Sequence, residues 1–213
     1  MTSIPKLGLS LGFDANARAA IRARLHVMDR RVLPDDVPLA AVLVPLGQLH
    51  GRPAMLFTKR TDTVGTHKGQ VSFPGGRMDP TDDDAIHCAL RELDEELGVP
   101  PREVEVLGVF HDVMSITGLR VTPVLGFLGE LDPARFTPRP GEVEDVFTLT
   151  LDALVDPARR ATQVLGGLRA PYFASGPHPI WGLTALILDE VLREVLELEL
   201  PPAALPEVPA PRR

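Results

Sequence analysis

One cysteine among 213 residues leaves no intrachain disulfide to build, and a lone thiol, Cys88, fits a reducing compartment. No run approaches the roughly 18 apolar residues that a membrane span needs. The opening MTSIPKLGLSLGF lacks the basic stretch and apolar core of a secretory signal, and the end carries no S-K-L address. A cytoplasmic protein is therefore expected. Positive charge is also scarce. Lys and Arg number 22 against 29 Asp and Glu, giving a formal charge of −7 and a pI near 5.4. Such a chain suits neither duplex DNA nor an anionic membrane surface, so no nucleic acid and no membrane are expected as partners. A small anionic metabolite stays compatible where a metal or local arginines neutralise it. No internal repeat is evident.

What is present is a 44% hydrophobic fraction, enough for a sizeable core, and 22 prolines, which call for many rigid turns. Residues 17–28 fit a helix. Residues 39–47 and 53–58 read as a hairpin across the GQLHGR segment, and Val71–Phe73 as a short strand. A central helix is expected over about 82–97, then strands over 103–111 and 119–128. A loop rich in proline and charge covers 130–142, and a short helix 149–156. The apolar stripe at 183–199 predicts a long helix that buries its face inside the domain or against a second copy in a homodimer. The organisation implied is an N-terminal extension with a helix (1–38), a main domain (39–200) and a disordered proline-dense tail (201–213).

The most informative stretch is 75–98, GGRMDPTDDDAIHCALRELDEELG. Asp82 or Asp83 is placed to cap the helix, and Gly98 to end it. Ile86, Ala89, Leu90, Leu93 and Leu97 fall on one arc at helical period. Glu92, Glu95 and Glu96 fall on the neighbouring arc, at spacings that bring side chains within about 5–6 Å. Three carboxylates so close repel unless a cation sits among them. Mg²⁺ or Mn²⁺, which prefer hard oxygen ligands, is the natural answer. Arg91 stands beside them and can orient one carboxylate through a bidentate pair. Ahead of the helix, Gly75 and Gly76 lay backbone open to a phosphate. A solvated acidic face is the bland alternative, which the glycine pair and the arginine argue against. Cys88 reads as a small helix residue.

These residues resemble the Nudix hydrolase box, a glycine, a loop acid and then R-E-x-x-E-E-x-G. Here they are Gly76, the acids at 82–83, Arg91, Glu92, Glu95, Glu96 and Gly98. Counting back from Arg91 makes Asp83 the loop acid, in a loop one residue longer than usual, with aspartate in place of glutamate. The flanks LFTKRTDTVGTHKGQVSFPGG (56–76) and HPIWGLTA (178–185) are similar to the coenzyme A pyrophosphatase branch, with Arg60, His67, Gly69, Val71 and Phe73 matching. Gly65 stands where that branch usually has arginine, and Lys59, Lys68 and Arg77 are the candidate replacements. Trp181 fits packing better than base stacking.

The resemblance implies an α/β fold, a Nudix-type α/β/α sandwich with a mixed sheet. It implies metal-dependent hydrolysis of coenzyme A or an acyl derivative to adenosine 3′,5′-bisphosphate and a 4′-phosphopantetheine species. The expected metal ligands are Glu92, Glu95 and Glu96, and Arg91, Glu92 and Glu96 belong to the catalytic set. Arg60, His67, Gly75 and Gly76 are expected to bind substrate. For the general base, the late acids Glu142 and Glu144 compete with Glu92, and Glu142 is preferred. Activity on ADP-ribose, NADH or another nucleoside diphosphate derivative stays open, as does a non-catalytic nucleotide-binding module.

Overall fold

Strand β1 (Leu39–Leu49) is apolar almost throughout because both its faces are covered, and seven of its eleven residues are buried. It turns through His50 and Gly51, both at positive φ (51° and 76°), into the antiparallel β2 (Arg52–Arg60). That two-residue turn matches the twist of a tight hairpin. β1 and β2 pair only near the turn, from Leu49↔Arg52 to Leu46↔Met55, and then part. The fork between them is filled by β3 (Val71–Ser72), paired to β2, and β4 (Gly75–Arg77), paired to β1. Pro74 bridges the two, its carbonyl accepting from Leu43 N–H at 2.8 Å. The computed structural model describes residues 12–34, 36–62, 69–165 and 167–209.

The other strands extend the sheet to eight. β7 (Arg120–Glu130) runs parallel to β1, β5 (Glu105–Val109) and β6 (Val113–Met114) pair with β7, and β8 (Val143–Thr150) pairs with β2 and leads into the short helix α3 (Leu151–Val155). On one face Ala41, Leu43, Ala54 and Leu56 pack against Cys88, Ala89, Leu93 and Leu97 of α2 (Ala85–Leu97). On the other, Val44, Leu46, Met55 and Phe57 pack against Ile21 and Leu25 of α1 (Ala15–Val27) and Ile187 and Leu188 of α4 (Gly182–Glu190). The architecture is the expected α/β/α sandwich on a mixed sheet. Among the described residues, no helix is long and apolar enough to cross a membrane.

Several elements depart from expectation. α2 starts at Ala85, and Asp84 caps it by accepting from His87 N–H at 2.8 Å. The segment around Glu142–Phe147 largely forms strand β8, and a hairpin of β9 (Arg160–Leu165) and β10 (Leu168–Phe173) precedes α4. The long helix ends early. α4 passes into a π-helical turn at Val191–Val195, where Arg24 Nη1 takes the Val195 carbonyl at 2.6 Å, and Glu197 has φ 50°.

The tail expected to be disordered instead lies along β9 as far as residue 209. Three of its N–H groups find carbonyls, Ala204 on Pro157, Leu205 on Arg160 and Val208 on Thr162 (2.9, 3.0 and 2.9 Å). Its proline carbonyls accept from side chains, Pro201 from Arg160 and Pro209 from Gln163 (2.7 and 3.1 Å). Proline density forbids a helix here but not an extended strand partner.

The segment before β1 is tied down by Asp112, whose carboxylate is wholly buried. It accepts from Thr122 Oγ1 (2.8 Å), Leu33 N–H (3.0 Å) and the Arg30 guanidinium. Asp112→Ala leaves these donors without their acceptor. It should cost about 3 kcal/mol, since breaking a buried ion pair strands the remaining charge. Urea unfolding measures this, and a loss below about 1 kcal/mol would show that solvent reaches the site.

Candidate functional site

β4 brings the glycine pair against α2. A Cβ on Gly75, where φ is 154°, would sit 2.3 Å from the Ala41 carbonyl oxygen, so the strand closes on β1 only with glycine. A Cβ on Gly76 would sit 2.4 Å from Glu92 Oε1 and 2.7 Å from Oε2. The Glu92 carboxylate therefore occupies the space that a side chain would take. One helical turn on, Glu96 is 4% exposed and accepts from Gly75 N–H at 3.3 Å. Arg60, at the end of β2, places Nη1 3.7 Å from Glu96 Oε1.

Arg91 organises the approach. Its Nε and Nη2 hold Asp82 in a fork at 3.0 and 2.8 Å, and Nη1 reaches Glu92 (3.0 Å) and Glu95 (3.3 Å). Nη2 also donates to the Arg77 carbonyl at 3.2 Å. One guanidinium thus joins the loop, β4 and the helix. The Asp82 side chain is covered, and its hydrogen bonds from Arg91 hold its pKa down at about 2. The loop acid is accordingly Asp82, not Asp83, whose side chain is 94% exposed. Counting residues from the arginine could not show that the loop bends to present the earlier acid.

The connection from β7 to β8 brings in Glu142. Thr137 and Arg139 N–H groups satisfy the Leu97 and Glu96 carbonyls at the end of α2 (2.9 and 2.8 Å), and Glu142 N–H donates to the Arg139 carbonyl (3.2 Å). The Arg139 Nη1 lies 3.7 Å from Glu95 and 3.5 Å from Glu142. No sequence signal marked Arg139. Burial pushes the Glu96 carboxyl up to about 8, with Arg60 opposing and the charges of Glu92 and Glu142 adding. Glu92 is raised as well, first by burial, while Arg91 opposes. Burial pushes the Cys88 thiol up to about 12, which leaves it a packing residue.

The expected trio of Glu92, Glu95 and Glu96 is split. Among the described residues no three His, Cys, Asp or Glu side chains form a ready cage for a cation. Glu92 and Glu96 converge at the glycines, whereas Glu95 turns outward to Arg91 and Arg139. Arc position on a helix does not fix rotamer, and two arginines compete for Glu95. Arg60, Gly75, Gly76, Arg91, Glu92, Glu96 and Glu142 are brought together. His67, Gly65 and Lys68 lie outside the described residues. Glu144 is held by Lys59. His178, from the HPIWGLTA run, sits on a loop closed by the Phe173–Ile180 pair and bonds Asp145 of β8 at 2.8 Å. Trp181 is partly exposed at the start of α4.

The NUDIX domain model matches residues 37–166. The human mitochondrial coenzyme A diphosphatase NUDT8 is 44% identical over 160 residues, covering 72% of this chain and 68% of the relative. The mouse protein of that name is 42% identical over 177 residues, with 80% and 84% covered. Nudix hydrolase NudL of Escherichia coli K12 is 39% identical over 166 residues, covering 73% and 82%. Among solved structures, a MutT/nudix family protein from Enterococcus faecalis superposes with TM-score 0.54 at 17% identity, covering 78% and 66%, a likeness of fold alone. The mammalian relatives overturn the expected cytoplasmic address, since both are mitochondrial proteins. One thiol and an acidic balance suit more than one reducing compartment, so composition carried no address.

The raised carboxyl of Glu96 makes stability depend on pH. Its ordinary value is 4.5, so between about 4.5 and about 8 the folded chain holds a proton that the unfolded chain has released. Stability without divalent cation should therefore fall as pH rises through that window and level off above it. Glu92, also raised, acts in the same direction. Thermal unfolding from pH 5 to 9 in EDTA measures this. In Glu96→Gln the slope should shrink, and an unchanged slope would assign it elsewhere.

Proposed function

The chain belongs to the Nudix hydrolase family, and on that premise we propose that it hydrolyses the diphosphate bond of coenzyme A or its acyl derivatives. The products are adenosine 3′,5′-bisphosphate and a 4′-phosphopantetheine species. The observation that carries the substrate is the likeness to the two mammalian coenzyme A diphosphatases over most of each chain, together with the assembled fork.

Glu92 and Glu96 offer only hard oxygen donors, and each is raised by burial, as suits groups that meet a cation when charged. They would hold Mg²⁺ or Mn²⁺, with Glu95 at the rim. A divalent cation there supplies positive charge against the phosphoryl oxygens. The remaining work belongs to the chain. Gly75 and Gly76 keep side chains out of the phosphate's way. Arg60 faces the site from β2 and is placed to add donors to a phosphate oxygen. Arg91 fixes the loop and the helix at one separation through Asp82.

Hydrolysis needs a water oxygen to bond phosphorus while the bridging P–O bond breaks, and the water's proton must go to a base. Glu142 is the base favoured here. It is more exposed than Glu92 or Glu96 and is steered by Arg139 at 3.5 Å.

Purified protein with Mg²⁺ or Mn²⁺ should convert coenzyme A to adenosine 3′,5′-bisphosphate, identified by mass, in preference to ADP-ribose and NADH. Preference for either of those would retain the family and defeat the substrate. Glu96→Gln should lose about a hundredfold or more in kcat together with its Mg²⁺ affinity. Glu142→Gln should lose about 10²–10⁴-fold in kcat with Mg²⁺ affinity kept. If Glu142→Gln stays near wild type, the base is another group. Gly76→Ala, whose methyl would displace the Glu92 carboxylate, should cost about a hundredfold in kcat.

A further inference from the structure

The cations around the fork are nearly all held by acids. Arg91 serves Asp82, Glu92 and Glu95. Arg139 lies between Glu95 and Glu142, and Arg60 faces Glu96. Lys59 is bonded to Glu144 and also feels the charges of Asp62 and Asp145. Arg77 differs from all of these. It is exposed, and among the described residues its guanidinium has no hydrogen-bond or ion-pair partner.

Its backbone, by contrast, is clamped. The Arg77 carbonyl accepts from Arg91 Nη2 at 3.2 Å, the residue pairs with Ala40 of β1, and the next N–H, of Met78, bonds the Leu39 carbonyl at 3.0 Å. A free guanidinium on a fixed strand, one residue from the glycine that touches Glu92, is available to an anion without first breaking an ion pair.

The strand period gives the direction. Gly76 pairs with Ala41, which packs on the α2 face, and its missing side chain would meet Glu92. Arg77 pairs with Ala40, which belongs to the core on the opposite face. Successive side chains of a strand point to opposite faces. Arg77 therefore starts from the side away from Glu92 and Glu96, where the diphosphate is cleaved. A substrate phosphate that it meets is one that those acids and their cation do not claim.

We propose that Arg77 binds the 3′-phosphate monoester of the substrate's nucleotide half and so selects for coenzyme A over forms lacking that group. The proposal rests on the coenzyme A reading. A planar guanidinium suits a dianionic monoester because two N–H groups can engage two oxygens at once, which lysine cannot reproduce.

The test compares wild type, Arg77→Gln, Arg77→Lys and, as a distant exposed arginine, Arg102→Gln. Two ratios are read. One is kcat/KM for coenzyme A over dephospho-coenzyme A. The other is calorimetric affinity for adenosine 3′,5′-bisphosphate over adenosine 5′-monophosphate. Arg77→Gln should lower both ratios roughly tenfold or more, mainly through KM, with Arg77→Lys between and Arg102→Gln unchanged. Ratios unchanged in Arg77→Gln, or lowered equally in Arg102→Gln, would overturn the proposal. So would a wild type that binds the two nucleotides alike. Wild type that fails to cleave coenzyme A would defeat the substrate reading, while the nucleotide-binding ratio still decides the role of Arg77.

Discussion

A helix that carries carboxylates at three positions of one arc needs positive charge among them, and here the first such charge is covalent. The Arg91 guanidinium holds Asp82 through two parallel hydrogen bonds and touches Glu92 and Glu95 with its remaining Nη1. Everything else at the site is positioned relative to that tie. It fixes the distance between the 78–84 loop and α2. Through the Arg77 carbonyl it also fixes β4 against both. The covered Asp82 carboxylate is tolerable because it is so completely paired, with its pKa held at about 2.

The second constraint is space. The fork between β1 and β2 is wide enough for a strand but not for side chains at two successive positions. Gly75 closes on Ala41, and Gly76 leaves room for the Glu92 carboxylate. The glycines thus do more than turn the chain. They let a carboxylate and, by the proposed mechanism, a phosphate approach one backbone from the same side. Burial of Glu96 behind them has a cost in the charged form, visible as a carboxyl raised to about 8.

Much of this was legible in the sequence because it depends on spacing. The helix, its apolar arc, the closeness of Glu92 and Glu96 and the hairpin at His50–Gly51 follow from periods of 3.6 and 2 and from turn chemistry, while the layered fold comes from the family resemblance. What was not legible depends on contacts between distant segments. Asp82 rather than Asp83 meets Arg91 because of how the loop bends. Glu95 parts from Glu92 and Glu96 and lies between Arg91 and Arg139, the latter 44 residues later in the chain (139 − 95). Strand β8 was not legible because its start carries the acids Glu144 and Asp145, and the pairing partner, β2, lies far back in the chain. The tail was hidden by proline, which removes donors but leaves carbonyls for Arg160 and Gln163 to use.

The period of two also explains why adjacent cations on β2 are not interchangeable. Phe57 and Phe147 are register partners and stack on the face of α4, at 5.6 Å between centroids. Two residues on, Lys59 and Asp145 are register partners too, so they share that face with His178, whose ring meets Phe147 edge-on. Arg60, one step further, points to the face of α2 and reaches Glu96. Lys59 therefore sits among carboxylates that already balance it, and an anion gains little by approaching there. Arg60 instead faces a single buried carboxylate, Glu96, beside the glycine pair. Two neighbouring cations of equal formal charge thus differ in what they can bind, because the pleat assigns them to opposite faces.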